Sequence, residues 1–368
     1  SNAGDEKEAE GVHVHEHAKP SAESKTHKHK RPKTIPAQSA PIEPGAEEYV
    51  IIGTQGVKIT KIEGLEPMTK LKTLILRSNV ISKMEGLRTL TTLTSLELYD
   101  NQIKAIEDIE TLTGLTSLDL SFNKIVQLAC LEDLRRLTEL YVASNRLTSM
   151  AGLPPAPLLK LDLGSNRIRR IEGLDALPSL TELWLGKNKI ERIEGLGGLR
   201  KLIRLDLQSN RLTRIEGLDE LTELEELYLA YNGIESLDGL QAQTKLTTLD
   251  MGHNRLVRLA GLDHMTALED LWVNANFVER FEDVCLSNIT TLETLYLEQN
   301  PIARDYEYRM RLAREIPSLT QIDATPCRMP GSVPAVTVTG AAAAAAGAAA
   351  AGTGAAFEGA GAGHVLGG

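Results

Sequence analysis

Trp184 and Trp272 are the only tryptophans in this chain of 368 residues, and each stands four residues ahead of an asparagine. The same offset from nine further asparagines selects Ile75, Glu97, Asp119, Tyr141, Asp162, Asp206, Tyr228, Asp250 and Tyr296. Five of these eleven side chains are aromatic, five acidic and one aliphatic. With 2 Trp, 8 Tyr and 4 Phe in the whole chain, eleven positions drawn at random would hold fewer than one aromatic. Large rings bury much area at small conformational cost and are favoured anchors for protein partners. Carboxylates set between them suit a surface presenting Lys or Arg, and give orientation and specificity more than raw affinity. Asp270, two residues before Trp272, joins the same set. The chemistry this implies is recognition of a macromolecule.

Two residues before each asparagine runs a second column, from Arg77 and Tyr99 to Asn274 and Glu298, that is mostly small between Ser121 and Gly252. Small neighbours would leave the larger side chains standing clear for a partner. Two plainer roles compete. Acidic residues can simply solvate a sheet face, and aromatic side chains on neighbouring strands can stabilise each other by about 0.2–1 kcal/mol per pair. Trp184 and Trp272, each expected to stand isolated between acidic neighbours, are the least suited to the second role.

Catalytic constellations are missing from the pattern. Five of the 8 histidines, His13, His15, His17, His27 and His29, lie in the polar N-terminal stretch, where a solvated tail is expected over a metal site. His253 and His264 have no Ser or Cys nucleophile placed for them, and Gly195-Leu-Gly-Gly198 lacks the Gly-Lys-Ser/Thr ending of a phosphate-binding loop. The three cysteines, Cys130, Cys285 and Cys327, have no metal-ligand spacing and fit a reducing compartment. No enzyme, cofactor or metal is expected. With 50 acidic against 40 basic residues, a net charge of -10 and no basic stripe discerned, no nucleic-acid partner is expected either. Residues 4–48 hold no apolar signal region, and the Ala/Gly run 341–351 is too weakly apolar to span a bilayer. The expectation is a soluble intracellular protein, monomeric when free.

The elements that must position these residues repeat. Asparagines 79, 101, 123, 145, 166, 188, 210, 232, 254, 276 and 300 fall at steps of 22 residues, with one of 21 and a last of 24. Each is framed as in Leu180-Thr-Glu-Leu183-Trp-Leu185-Gly-Lys-Asn188-Lys-Ile190, the leucine-rich-repeat template L-x-x-L-x-L-x-x-N-x-L. The predicted fold is an α/β solenoid, a horseshoe with a parallel concave sheet and a C-terminal capping helix. Alternating leucines mark short strands with one buried face. Asparagine at the turn can satisfy backbone groups left unpaired there. The recurring Glu-Gly-Leu (63–65, 85–87, 172–174, 194–196, 216–218) marks a tight bend on the return path.

The expected divisions are a disordered tail over 1–48, a cap or partial repeat over 49–70 with Val57 at the asparagine place, and repeats over 71–300. A cap follows over 301–328, with Met310, Leu312, Ala313 and Ile316 on the buried face of a helix ending before Pro317. A disordered Ala/Gly-rich tail over 329–368 ends the chain.

The unbroken 22-residue frame with Ile-Glu-Gly-Leu returns resembles the leucine-rich-repeat regulatory subunits of type 1 protein serine/threonine phosphatase. So do Leu98-Tyr-Asp-Asn-Gln-Ile103, Leu118-Asp-Leu-Ser-Phe-Asn123, Gln321-Ile-Asp-Ala-Thr325 and the segment after Asn300. That resemblance covers about residues 50–327. It implies a regulator, in nucleus and cytoplasm, that holds the phosphatase catalytic subunit on its concave face. The corresponding residues are Asp119, Tyr141, Asp162, Trp184, Asp250, Trp272 and Tyr296 with Asp270 beside them, and Asp206 and Tyr228 share the column. Similar repeats also serve cytoskeletal and axonemal adaptors, the competing expectation. The His-rich and Ala/Gly-rich ends depart from the family pattern.

Overall fold

The computed structural model describes residues 43–327. Its strands run in chain order through one sheet. They are β1 (Glu48–Val50), β2 (Thr73–Ile75), β3 (Ser95–Glu97), β4 (Ser117–Asp119), β5 (Glu139–Tyr141), β6 (Lys160–Asp162), β7 (Glu182–Trp184), β8 (Arg204–Asp206), β9 (Glu226–Tyr228), β10 (Thr248–Asp250), β11 (Asp270–Trp272) and β12 (Thr294–Tyr296). All pair in parallel; β13 (Gln321–Ile322) extends the sheet and β14 (Thr325–Pro326) turns back antiparallel. Because successive side chains on a strand face opposite ways, one leucine on each of β2 to β12 points inward and its two neighbours point out, and Tyr49 takes the inward place in β1. The inward residues, such as Leu118, Leu183 and Leu271, are fully buried. The leucine, isoleucine and methionine positions of the return path close the other side of a single continuous core.

The asparagines tie one repeat to the next. Asn188 Nδ2 donates to the carbonyls of Leu185 (3.0 Å), Gly186 (3.3 Å) and, in the preceding repeat, Leu163 (3.0 Å). Its Oδ1 accepts the Ile168 N–H at 3.0 Å. The pattern recurs from Asn79 to Asn300. It is set up by the residue just before each asparagine, which is left-handed with φ between 52° and 60° from Ser78 through Gln299. Non-glycine residues there cost roughly 1–2 kcal/mol each, which the buried asparagine bonds offset. On the return path Gly217 has φ +68°, and a Cβ there would lie 2.6 Å from the Ile193 carbonyl oxygen. Only glycine fits that bend.

Both ends differ from expectation in detail. The first turn is longer than the rest: counted on from Val50 beside Ile75 the asparagine place falls on Thr54, and counted back from Ile59, which donates to Asn79 Oδ1 as Ile81 does to that of Asn101, it falls on Val57 as expected. Glu48, counted with the tail, opens β1. At the other end Pro301–Arg304 form a 3-10 turn, and α1 (Tyr308–Glu315) covers the last repeat. Leu312 and Ile316 are buried, but Met310 is 67% exposed and Tyr308 is buried in its stead. With α1 starting at Tyr308, Met310 falls on its outer face; the Tyr308 hydroxyl reaches Asp323 at 3.3 Å. The expectations for residues 1–42 and 328–368, the histidine cluster and alanine run among them, lie outside the described residues.

Candidate partner-binding face

Nine of the ten candidate residues are the third residues of consecutive strands β4 to β12. Register places Asp119 beside Tyr141, then Asp162, Trp184, Asp206, Tyr228, Asp250, Trp272 and Tyr296 in one unbroken row. Asp270 opens β11 and stands one row over, between Thr248 and Thr294. All ten lie on the outward face of the sheet. They are less exposed than a solvated wall would be: Asp250 is buried, and the other nine are half-buried.

The aspartates have a second occupation that spacing alone did not show. Asp119, Asp162, Asp206 and Asp250 each accept, through Oδ1, the backbone N–H two residues on, at 2.8 to 2.9 Å. The glycines of the second column lie close to these carboxylates, although Ser121 and Gln208 keep side chains beside the like-folded Asp119 and Asp206. A Cβ on Gly164 would lie 3.1 Å from the Asp162 carboxylate, and one on Gly252 would lie 3.3 Å from that of Asp250. Glycine thus leaves room for the folded-back carboxylate as well as for a partner.

Burial acts on the charges of this row. It raises the carboxyls of Asp162, Asp206 and Asp250 to about 6, against an ordinary 3.8, although each accepts a backbone N–H that pulls the other way. Asp206 adds to the rise at Asp162, and Asp250 to that at Asp206, two strands away in each case. Asp119 is raised for the same first reason. Neither Asp162 nor Asp250 has a lysine or arginine within ion-pair distance among the described residues. Burial also raises the phenols of Tyr141 and Tyr228, and a neighbouring glutamate adds to each. The row is therefore a set of anionic groups held in a poorly hydrated setting, where an incoming cation would be attracted more strongly than in water.

The two tryptophans part company. Trp184 has no ring neighbour among the described residues. Trp272 is not isolated: its ring lies 6.3 Å from Tyr228, across Asp250, and 6.3 Å edge-on to Tyr296. Half-buried rings can reach past a short carboxylate, and so they meet two strands apart. Asp250, the most buried member of the row, stands between them in register.

Two rows escaped the sequence reading. The first residues of β6 to β9 form an alternating ladder, Lys160–Glu182 at 3.3 Å, Glu182–Arg204 at 3.5 Å and Arg204–Glu226 at 2.6 Å. Burial opposes ionisation of Glu226, but Arg204 and the Tyr228 hydroxyl (2.7 Å) outweigh it and hold its carboxyl below the ordinary range. This ladder, six residues ahead of the asparagines, braces one edge of the candidate row. The second row follows the asparagines directly: Lys124, Arg146, Arg167, Lys189 and Arg211. It is a basic stripe, contrary to expectation, and the step of 22 residues was the signal that could have found it.

Sequence models described as Leucine-rich repeat, Leucine Rich repeats (2 copies) and Leucine rich repeat match residues 204–330, 158–198 and 91–147. A stretch of 40 residues is 50% identical to protein phosphatase 1 regulatory subunit 7 of Danio rerio, and a like match is found to that of Bos taurus. These stretches span 11% of this chain and 12% and 11% of the two relatives. An internalin of Listeria monocytogenes is similar in structure with a TM-score of 0.66 and 26% identity, over 75% of this chain and 79% of its own. A leucine-rich-repeat protein of Leptospira interrogans gives 0.65 and 26%, over 72% and 70%. Among the described residues no helix is long and apolar enough to cross a membrane.

Proposed function

This chain is a leucine-rich-repeat protein, a scaffold for binding other proteins, and we propose that its partner is the catalytic subunit of protein phosphatase 1. In this reading the chain is a non-catalytic regulatory subunit that controls the assembly, location or activity of the phosphatase. The partner lies across the concave face on Asp119, Tyr141, Asp162, Trp184, Asp206, Tyr228, Asp250, Asp270, Trp272 and Tyr296. Residence in nucleus and cytoplasm and a monomeric free state go with the role. So does a division into repeats over 71–300 between caps at 49–70 and 301–328.

The choice of phosphatase rests on the 40-residue likeness to regulatory subunit 7. The observation that carries the mode of binding is the half-buried acidic row, two of whose carboxylates have no cation of their own. Lys or Arg from a partner would neutralise them, while Trp184, Trp272 and Tyr296 supply apolar area. From β2 to β12 the sheet advances ten steps, on the order of 48 Å at ~4.8 Å each. That matches a globular partner and an interface of standard size, and exceeds what a small molecule fills.

Calorimetric titration of the full chain with purified catalytic subunit at physiological salt tests it. Saturable binding, lost on Asp162→Lys with the fold intact by circular dichroism, is expected. Absence of binding by the unaltered chain would leave a scaffold for some other protein.

A further inference from the structure

The basic stripe lies on a different part of the solenoid from the acidic row, beyond the left-handed turn where the chain leaves the sheet. Its members stack directly. The backbone N–H groups of Lys124, Arg146, Arg167, Lys189 and Arg211 donate at 2.8 Å to Ile103, Ile125, Leu147, Ile168 and Ile190 of the preceding repeats. Each is followed by a fully buried residue (Ile125, Leu147, Ile168, Ile190, Leu212), so its own side chain is turned outward. Arg146, Arg167 and Arg211 are exposed and Lys124 and Lys189 half-buried. Five cations thus stand in line over about 19 Å, at the ~4.8 Å spacing of adjacent strands.

Most of this charge is unspent within the chain. Arg146, Arg167 and Lys189 have no hydrogen-bonded or ionic side-chain partner among the described residues. Arg211 has only a long, exposed contact to Glu191 at 3.8 Å, and Lys124 donates to the neutral Gln102. Some arginines elsewhere on the surface are matched, as Arg192 is by Glu216 and Arg170 by Glu194. The stripe stops at Gly233, where the row loses its side chain.

We propose that Lys124, Arg146, Arg167, Lys189 and Arg211 form a docking track for an acidic polypeptide segment, a run of Asp and Glu in a partner. Carboxylates on one face of a helix recur every three or four residues, roughly 5–6 Å apart. The flexible stems of Lys and Arg absorb the small mismatch with the rungs. Two features favour polypeptide over nucleic acid. From Lys124 to Arg211 the column itself holds no aromatic residue on which a base could stack, and the exposed rings of Phe122 and Tyr231 stand only at its two ends. The stripe is also one residue wide, and the carboxylates of Asp119, Asp162 and Asp206 on the same repeats oppose a broad polyanion such as a duplex. The track is independent of the phosphatase reading, because its residues are outside the concave row.

Fluorescence anisotropy of a labelled dodeca-glutamate peptide with the full chain at low salt provides the test, with a neutral Gly-Ser peptide and a dodeca-uridylate as references. The glutamate peptide should bind most tightly. The triple substitution Arg146→Gln, Arg167→Gln, Lys189→Gln should weaken it about tenfold or more, and raising the salt should do likewise. The charge-preserving triple Arg146→Lys, Arg167→Lys, Lys189→Arg should stay within about twofold of the unaltered chain. Among the described residues these side chains make no hydrogen bond or ion pair, and circular dichroism melts of both triples should match the unaltered chain. The proposal is overturned if the glutamate peptide binds no better than the neutral one, if uridylate binds more tightly, or if both triples lose the same affinity.

Discussion

Replacing Asp250 by Asn should stabilise the free protein and weaken its hold on the phosphatase. Asp250 is 7% exposed, between Tyr228 and Trp272 in the register, and its Oδ1 accepts the Gly252 N–H at 2.9 Å. Burial raises its carboxyl from 3.8 to about 6. A difference of that size between folded and unfolded states corresponds to about 3 kcal/mol against the ionised folded form. The sign follows from the raised value. Stability gained by protonating the folded carboxyl is complete below pH 3.8 and is lost as pH rises through about 6. Asparagine keeps an oxygen for Gly252 and is never charged. Its advantage should therefore be about 2–3 kcal/mol at pH 7.5 and shrink to about 0.5 kcal/mol by pH 4. Urea denaturation of both proteins across that range, followed by circular dichroism, gives the difference directly. Binding should change in the opposite sense at pH 7.5, because the anion that favours a partner's Lys or Arg is gone. A variant less stable at every pH, or a gain as large at pH 4 as at 7.5, would refute the account of the acidic row.

Asn188→Ala removes four buried hydrogen bonds and should cost about 3–4 kcal/mol in urea denaturation; a loss below about 1 kcal/mol would mean water replaces the amide. Trp272→Ala should weaken phosphatase binding by about 2 kcal/mol or more in calorimetry. Its two ring contacts make a smaller stability loss of about 1 kcal/mol part of the same expectation. A large fall in Tm with unchanged affinity would make that ring purely structural. Gly217→Ala forces a Cβ against the Ile193 carbonyl at 2.6 Å and should cost about 2 kcal/mol or more by the same denaturation assay.

The solenoid was open to reading from the chain because its evidence is multiplied. One Leu-Trp-Leu alternation around Trp184 fits many folds, but the same frame on eleven asparagines fits one. Each asparagine then has the same unpaired carbonyls to satisfy, and the inward leucines fix which side chains face out. The ends were harder because they lie outside the period. Tyr308 displaces Met310 from the buried face of α1 through where the helix begins, and that depends on the turn at Pro301–Arg304. Val57 keeps the 22-residue step on the return side, through the Ile59 N–H on Asn79 Oδ1, while Val50 against Ile75 counts to Thr54, and the extra residues of this turn lie between the two.

At the candidate site the period identified which residues share a row and misjudged what they do to one another. Asp250 and Trp272 looked like separate members of an alternating list. In the sheet they are about one strand spacing apart, and the rings on either side of Asp250 are long enough to approach to 6.3 Å across its strand. Cross-strand contact is a property of side-chain length and rotamer, and neither is written in the repeat. The basic stripe escaped for a different reason. Net charge sums over the whole chain, and 50 acidic residues hide 40 basic ones. A solenoid sorts charge by column, so the row after the asparagines and the row four residues before them carry opposite signs on the repeats of Asn123, Asn166 and Asn210. In such a fold the charge that a partner meets is set by phase within the repeat, and an acidic average places no limit on how basic a single column can be.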